Sequence, residues 1–333
     1  MTRADNEGMA LVAFVVNRTL LRSPEGFAGR CLAAAKEHGW EPEFATTSET
    51  DDAETLARRA VAAGAGMVFA AGGDGTVRAC AEALAGTGVP LGIVPLGTAN
   101  LTARALGIPG RAGPAVDAGF TGQDRQIDLA RVAGGGVITV PAAGGPGEAE
   151  GSGPDEGPGE VFAAMAGIGL DAAVVEAARR DVKRRLGWVA YAVSGLTRLW
   201  WPASDFTLRL DGGEPMRRRA RCVVVGNSGR LPGGFGLLPG ARLDDGRLDV
   251  GILAPSGPLG WPRVAGHILT RSRIWNGHLE RFQASRVEIT APTALPRQID
   301  GELAAPGQRL DVSVWPHALT VRQPAGHARN GRA

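Results

Sequence analysis

A cluster of glycines at a strand-to-helix boundary constrains this chain more than any other feature. Met67 to Ala71 is apolar and strand-like, Val77 to Leu84 favours helix, and Gly72-Gly73-Asp74-Gly75-Thr76 joins them. Glycines so placed allow positive φ values and let a ligand approach the main chain closely. The helix start beyond them offers free N–H groups suited to phosphate. The placement therefore predicts a nucleotide phosphate cradle. No Gly-Lys-Ser/Thr follows as in a Walker A loop, and the spacing is not GxGxxG. The alternative is a tight turn in which the glycines serve the backbone alone, but Asp74 and Thr76 add polar groups that a plain turn does not need.

The cradle sits within an alternating pattern. Leu11 to Val16 reads as a buried strand ending at Asn17, followed by a helical stretch around Ala28 to His38. Pro42 to Thr46 reads as a second strand, Ala53 to Ala63 as a helix, Met67 to Ala71 as a third strand and Leu91 to Val94 as a fourth. This order predicts a parallel sheet with helices on both faces. Ligands of open sheets bind outside the carboxyl ends of the strands, where Asn17 and the Gly-rich loop would lie. A second turn, Pro95-Leu96-Gly97-Thr98-Ala99-Asn100, follows the fourth strand and opens another helix, so its hydroxyl and amide face the same strand ends. Taken alone, Pro95 and Gly97 are equally consistent with punctuation.

From about Gln126 the pattern changes to closely spaced strands: Gln126 to Val132, Val137 to Val140, Val161 to Ala166, Phe206 to Leu210, Ala220 to Val225, Leu248 to Leu253 and Arg286 to Ile289. This predicts a second, mostly antiparallel β-rich domain. The expected division is 1–125 for the nucleotide-binding domain and 126–307 for the β-rich substrate domain, with a flexible insertion over 141–160. That insertion is nearly all Gly, Ala, Pro, Ser and acid, too poor in large apolar residues to order itself.

Composition narrows the function classes. The length of 333 residues favours two domains, and 44% hydrophobic with 21% charged residues is ordinary for a globular protein. A net charge of +2 gives no nucleic-acid footprint. Cys31, Cys80 and Cys222 are odd in number, far apart and without a CxxC pair, so neither a disulfide framework nor a thiolate metal site is indicated. A reducing cytoplasm fits this pattern. The chain start lacks the order of a secretory signal, and no stretch has the length of a spanning helix. Membrane contact is therefore expected to be peripheral.

Two later segments carry acids at turns. Leu237 to Asp249 combines a Pro-Gly turn with an Asp-Asp-Gly turn; it reads either as a hairpin with solvated acids or as a Mg²⁺ site of carboxylate and carbonyl oxygens. Gln298-Ile299-Asp300-Gly301-Glu302 reads either as an acidic surface hairpin or as a turn presenting Glu302 into a cleft as a general base.

These pieces occur in the order of one family. With the Gly72 to Thr76 loop, Gly97-Thr98-Ala99-Asn100, Gly167-Ile168-Gly169-Leu170-Asp171-Ala172, Gly226-Asn227, the Ala241 to Leu248 turn and Asp300-Gly301-Glu302, the sequence resembles the diacylglycerol kinase catalytic-domain family, in its soluble bacterial lipid kinase branch. The resemblance implies a fold like that of diacylglycerol and NAD kinases. It implies ATP held by Asn17, Thr47, Gly72, Gly73, Asp74, Gly75, Thr76, Gly97, Thr98 and Asn100, and Mg²⁺ held by the carbonyls of Arg242 and Arg247 with the Asp245 carboxylate. Glu302 matches the proton acceptor, Asp74 and Asp128 match acids near the interdomain cleft, and the C-terminal strand over 308–323 returns to the first domain. The chain departs from the pattern at Leu101, where relatives often carry Asp, so the water-bridged acid network linking that turn to the metal is not implied here.

The implied reaction is transfer of the ATP γ-phosphate to a diacylglycerol-like or sphingoid alcohol, with a homodimer as the assembly family behaviour suggests. Lys183 to Trp201, basic at its start with apolar residues at helical spacing, reads either as an interfacial helix resting on anionic lipid or as a core-facing helix. Two other functions stay open at this stage: an NAD kinase, which shares the first loop, and a nucleotide- or lipid-binding regulator without catalysis.

Overall fold

The computed structural model describes residues 9–21, 23–133, 159–170, 172, 202–229, 237–238, 240–255, 260, 266 and 278–325. The expected strand over Val137 to Val140, most of the 141–160 insertion and the Lys183 to Trp201 segment lie outside the described residues.

The first part of the chain is an α/β unit. Its elements are β1 (Ala10–Val16), α1 (Pro24–Glu37), β2 (Trp40–Thr46), α2 (Ala53–Ala62), β3 (Met67–Gly72), α3 (Asp74–Leu84), β4 (Leu91–Pro95), α4 (Leu101–Ala105) and α5 (Ala112–Thr121). The four strands are parallel in the order β2-β1-β3-β4. β3 and β4 are buried throughout, as apolar runs covered on both faces should be. α1 packs with α5, and α2 packs with α3. β2 closes the edge with Glu41, Pro42 and Glu43, residue types that discourage further strand pairing. The order runs one way from β1 to β2 and the other way from β1 to β3, so a topological switch point opens between the ends of β1 and β3. Asn17 and the Gly-rich loop flank it.

The second part is antiparallel. It comprises β5 (Gln123–Val132), β6 (Glu160–Phe162), β7 (Met165–Gly169), β8 (Ser204–Leu210), β9 (Met216–Ala220), β10 (Cys222–Gly226), β11 (Leu248–Leu253), β12 (Leu279–Ala284), β13 (Arg286–Ile299) and β14 (Glu302–Gln323). The path β12-β11-β10-β7-β13-β14 continues into β4 through a parallel pairing of Val321 with Leu91, so one hydrogen-bonded surface runs through both parts.

Several local expectations needed correction. β13 and β14 span 14 and 22 residues, whereas the sequence suggested only Arg286 to Ile289 and a returning strand over 308–323. Pro292, Pro296, Pro306 and Gly307 hid their continuity; the ladder absorbs the prolines at register shifts between Thr290 and Arg297. Val161 to Ala166 is two strands, broken at Ala163 and Ala164. β9 carries Arg217, Arg218 and Arg219, a charged run that periodicity does not mark as strand. It is held instead by its register with β8.

The aromatic core of the α/β unit fixes two glycines. Phe14 stacks on Phe69 with centroids 4.7 Å apart, and Phe120 tilts over Phe69 at 5.1 Å. A Cβ on Gly119 or Gly92 would collide with the Phe69 ring. Gly119→Ala is expected to destabilise the protein by about 1–3 kcal/mol through overpacking, read as a lower urea midpoint at unchanged slope. Adding Phe69→Leu should recover part of the loss, and strict additivity of the pair would disprove the steric account.

Candidate active site

The two glycine turns pack against each other because neither has a side chain where they meet. Leu96 donates its N–H to the Gly72 carbonyl at 2.8 Å. A Cβ on Gly97 would stand 2.7 Å from the Gly73 Cα. Gly72 itself has no room for a Cβ, because the Thr76 side chain folds back over it. Asn100 takes the left-handed conformation (φ 47°, ψ 52°) at the start of α4. Its Oδ1 accepts from Gly97 N–H at 3.0 Å, and its Nδ2 donates to the Gly97 carbonyl at 2.8 Å. Asp74 joins the two turns, its Oδ1 accepting from Leu101 N–H at 2.6 Å.

Opposite these loops stands the β13–β14 hairpin. Asp300 and Gly301 both have positive φ, 48° and 78°, as a two-residue hairpin turn of the primed type requires. The turn is tucked inward: Asp300 is 1% exposed, and its carboxylate accepts from the N–H groups of Ala163, Ala164 and Met165 at 3.0, 2.9 and 2.9 Å. The next residue, Glu302, lays its carboxylate against Gly75, in the space a Cβ there would occupy. Arg78 Nη2 reaches Glu302 Oε2 at 3.2 Å.

Between the loops and the hairpin lies a cavity of about 570 Å³, within the range of small-ligand sites. Of the residues singled out in the sequence, Asn17, Thr47, Gly73, Asp74, Gly75, Thr76, Gly97, Thr98 and Glu302 line it. Gly72 and Asn100 do not; they shape the turns from behind. The sequence reading did not assign Leu20, Ser48, Asp52, Ala53, Ala79 or Ala99 to the site, although they line it, as do Asp300 and Gly301. Ser48 and Asp52 carried a faint signal, because Asp52 caps α2 by accepting from Thr55 N–H and so fixes a loop at a strand end. Leu20 and the alanines carried none.

Burial pushes the Asp74 carboxyl from 3.8 up to about 7, with the negative charge of Asp300 adding to the effect and the N–H groups of Leu101, Asn100 and Thr102 opposing it. Burial also raises Asp300 against its N–H donors. The cavity thus gathers acids beside backbone positions suited to phosphate, an arrangement in which an anionic ligand needs an accompanying cation.

Arg242, Asp245 and Arg247 do not line the cavity; they belong to the turn before β11. That turn hangs on Asp128, which is fully buried. Asp128 Oδ2 accepts from Gly246 N–H at 2.7 Å and Oδ1 from His317 N–H at 2.8 Å, while its own N–H donates to the Leu243 carbonyl at 2.6 Å. Burial raises the Asp245 carboxyl, and the neighbouring acids Asp128 and Asp244 add to the rise. Asp244 is held below the usual range, the upward push of burial being outweighed by its ion pairs with Arg125 and Arg242. Among the described residues no cluster of three or more His, Cys, Asp or Glu side chains forms a cation cage. The oxygen donors of this turn nevertheless have the chemistry of a hard-cation site if main-chain carbonyls take part.

Because native Asp74 keeps its proton to about pH 7 while the unfolded chain releases it near 3.8, the folded state binds the extra proton in that window. Stability should therefore fall as pH rises through it. Asp74→Asn is expected to flatten the slope of the urea midpoint between about pH 4 and pH 7, the window that linkage sets. An unchanged slope would assign the proton to another group.

The comparisons with known proteins agree with this architecture. Residues 13–132 match the model for the diacylglycerol kinase catalytic domain, and residues 164–323 match that for the YegS C-terminal NAD kinase beta sandwich-like domain. A Pseudomonas aeruginosa protein named "Probable lipid kinase YegS-like" is 36% identical over 309 residues, covering 89% of each chain. A protein of the same name from Pseudomonas fluorescens is 32% identical over 296 residues, covering 88% of this chain and 89% of its own. The crystal structure of a diacylglycerol kinase from Bacillus anthracis shares the fold, with a TM-score of 0.72 at 19% identity over 96% of this chain and 99% of that one. With both halves matched in order and relatives aligned over nearly nine-tenths of its length, the chain belongs to the YegS-like lipid kinases of the diacylglycerol kinase catalytic-domain family.

Proposed function

We propose that the protein transfers the γ-phosphate of ATP to the hydroxyl of a diacylglycerol-like lipid alcohol, with Glu302 as the general base. The observation that carries this reading is that Glu302 and both glycine turns line one cavity, with the glutamate carboxylate against Gly75. Residues 1–125, joined by the returning strand over 308–323, hold the nucleotide in this reading, and 126–307 hold the lipid.

Phosphoryl transfer asks a protein for alignment and charge stabilisation more than for covalent chemistry. The N–H groups at the start of α3 and the hydroxyls of Thr47, Thr76 and Thr98 orient the triphosphate. Asn17 holds the strand end beside them, its N–H donating to the Ala71 carbonyl at 2.9 Å. As the acceptor oxygen forms its bond to the γ-phosphorus, its proton passes to the Glu302 carboxylate, the bond to the β,γ-bridging oxygen breaks and ADP departs. The proton on Glu302 then returns to water. Asp74 holds the two glycine turns at one spacing through Leu101 N–H, so its part is to keep the phosphate site in register.

Mg²⁺ fits the donor set twice over. The acids around the cavity favour ATP arriving as its magnesium complex, and the Asp245 carboxylate with the Arg242 and Arg247 carbonyls would hold a second ion of the same kind. Bound there, it would supply positive charge beside Asp244 and Asp245, on the turn that Asp128 holds. Among the described residues no helix is long and apolar enough to cross a membrane. In this reading the enzyme is cytoplasmic and works peripherally at the inner membrane surface as a homodimer.

Radiolabelled ATP supplied with a crude lipid extract should yield a labelled lipid, and NAD offered in its place should stay unlabelled. Glu302→Gln is expected to lower kcat by about 10²- to 10⁴-fold while ATP binding stays near wild type, the span typical of a lost general base. A labelled NAD product, or full turnover by Glu302→Gln, would defeat the proposal. Chelation by EDTA should abolish transfer and added Mg²⁺ should restore it; transfer that survives chelation would remove the cation from the mechanism.

A further inference from the structure

Arg78 lies one turn beyond Asp74 on α3, on the same helix face, yet it does not line the cavity. Its side chain is 21% exposed, and its guanidinium forks to two acids of the second part of the chain: Nη2 to Glu302 Oε2 and Nη1 to Glu160 Oε2, each at 3.2 Å. Its Nε is buried without a hydrogen-bond partner. Covering a guanidinium and leaving one donor unmet is unfavourable in itself, so the fork is what retains the side chain there. Glu302 is thereby bounded on one side by the bare backbone of Gly75 and on the other by Arg78.

We infer that Arg78 is a positioning residue for Glu302, holding its carboxylate against Gly75 and in line with the acceptor hydroxyl, with Glu160 steadying the outer arm of the guanidinium. Planar two-armed geometry suits this role, since one arm fixes direction while the other resists rotation. A glutamate side chain has three rotatable bonds, and the arginine narrows the rotamers open to its carboxylate. The inference rests on the reading of Glu302 as the base.

The test is steady-state kinetics of lipid phosphorylation together with a crystal structure of the Arg78→Ala variant. Arg78→Ala is expected to lower kcat by about 10- to 100-fold with the KM for ATP changed less than about threefold, the loss typical of a misplaced reacting group. Arg78→Lys should recover part of kcat, and Glu160→Gln should lower kcat by less than Arg78→Ala does, because it weakens only the partner of the outer arm. In a Glu302→Gln background Arg78→Ala should cost nothing further, since a residue acting through another has no separate effect. Wild-type kcat in Arg78→Ala, or an equal loss in the Glu302→Gln background, would overturn the inference while leaving the base assignment intact. Full activity of Glu302→Gln would instead overturn the base assignment, and the inference with it. The crystal structure gives a readout independent of turnover: the Glu302 carboxylate should leave Gly75 when Arg78 is truncated, and a carboxylate that stays in place disproves the positioning role.

Discussion

The buried carboxylate of Asp300 is the interaction on which the site depends. Three consecutive N–H groups, from Ala163, Ala164 and Met165, converge on it. Removing a carboxylate from water is costly unless such donors replace the lost hydration. Here they also tie the β13–β14 turn to the corner between β6 and β7. With that turn fixed, Glu302 follows it beside Gly75, where Arg78 meets its carboxylate. The same clamp brings Asp300 close enough to Asp74 for their charges to oppose each other, which contributes to the raised Asp74 carboxyl. A structural hydrogen-bond set thus determines both the geometry and the electrostatics of the cavity.

The rest of the site is built by absence. Gly73 and Gly97 let two turns touch through main chain, Gly75 leaves space for a carboxylate, and Gly72 accommodates Thr76. A methyl group on Gly97, Gly75 or Gly72 would collide with what lies there, whereas one on Gly73 would meet only ordinary van der Waals neighbours. What remains between the turns is lined by backbone, small hydroxyls and acids together with Leu20, Ala53, Ala79 and Ala99. Asp128 plays the corresponding structural part for the second turn system, binding the Leu243–Gly246 segment and β14 to β5.

Much of the α/β unit was legible because its signals are local. An apolar run bounded by glycines, as at Met67 to Gly72, or a helix capped as at Asp52, is decided by neighbours within a few residues. The long hairpin was not legible: prolines at 292, 296 and 306 imitate loop punctuation, and only pairing with distant strands makes the segment continuous. β9 failed for the same reason, its arginines being tolerable where one strand face meets solvent. In the site, the glycine turns and Glu302 were named from motifs, whereas Leu20, Ala53 and Ala79 carry no motif and enter the cavity only through the path of the backbone.

The sequence alone determined the alternation of strands and helices from β1 to β4, the residue types of the two glycine turns and the presence of an acidic turn near the end of the chain, because these depend on residue type and short spacing. Tertiary structure decided whether that acidic turn faced solvent or a cavity, which acid touched Gly75 and which arginine held it. The Arg78–Glu302 contact joins residues 224 positions apart. No periodicity reaches over such a separation; it is fixed by sheet register and by the hydrogen bonds that Asp300 collects, quantities that exist only once the chain has folded.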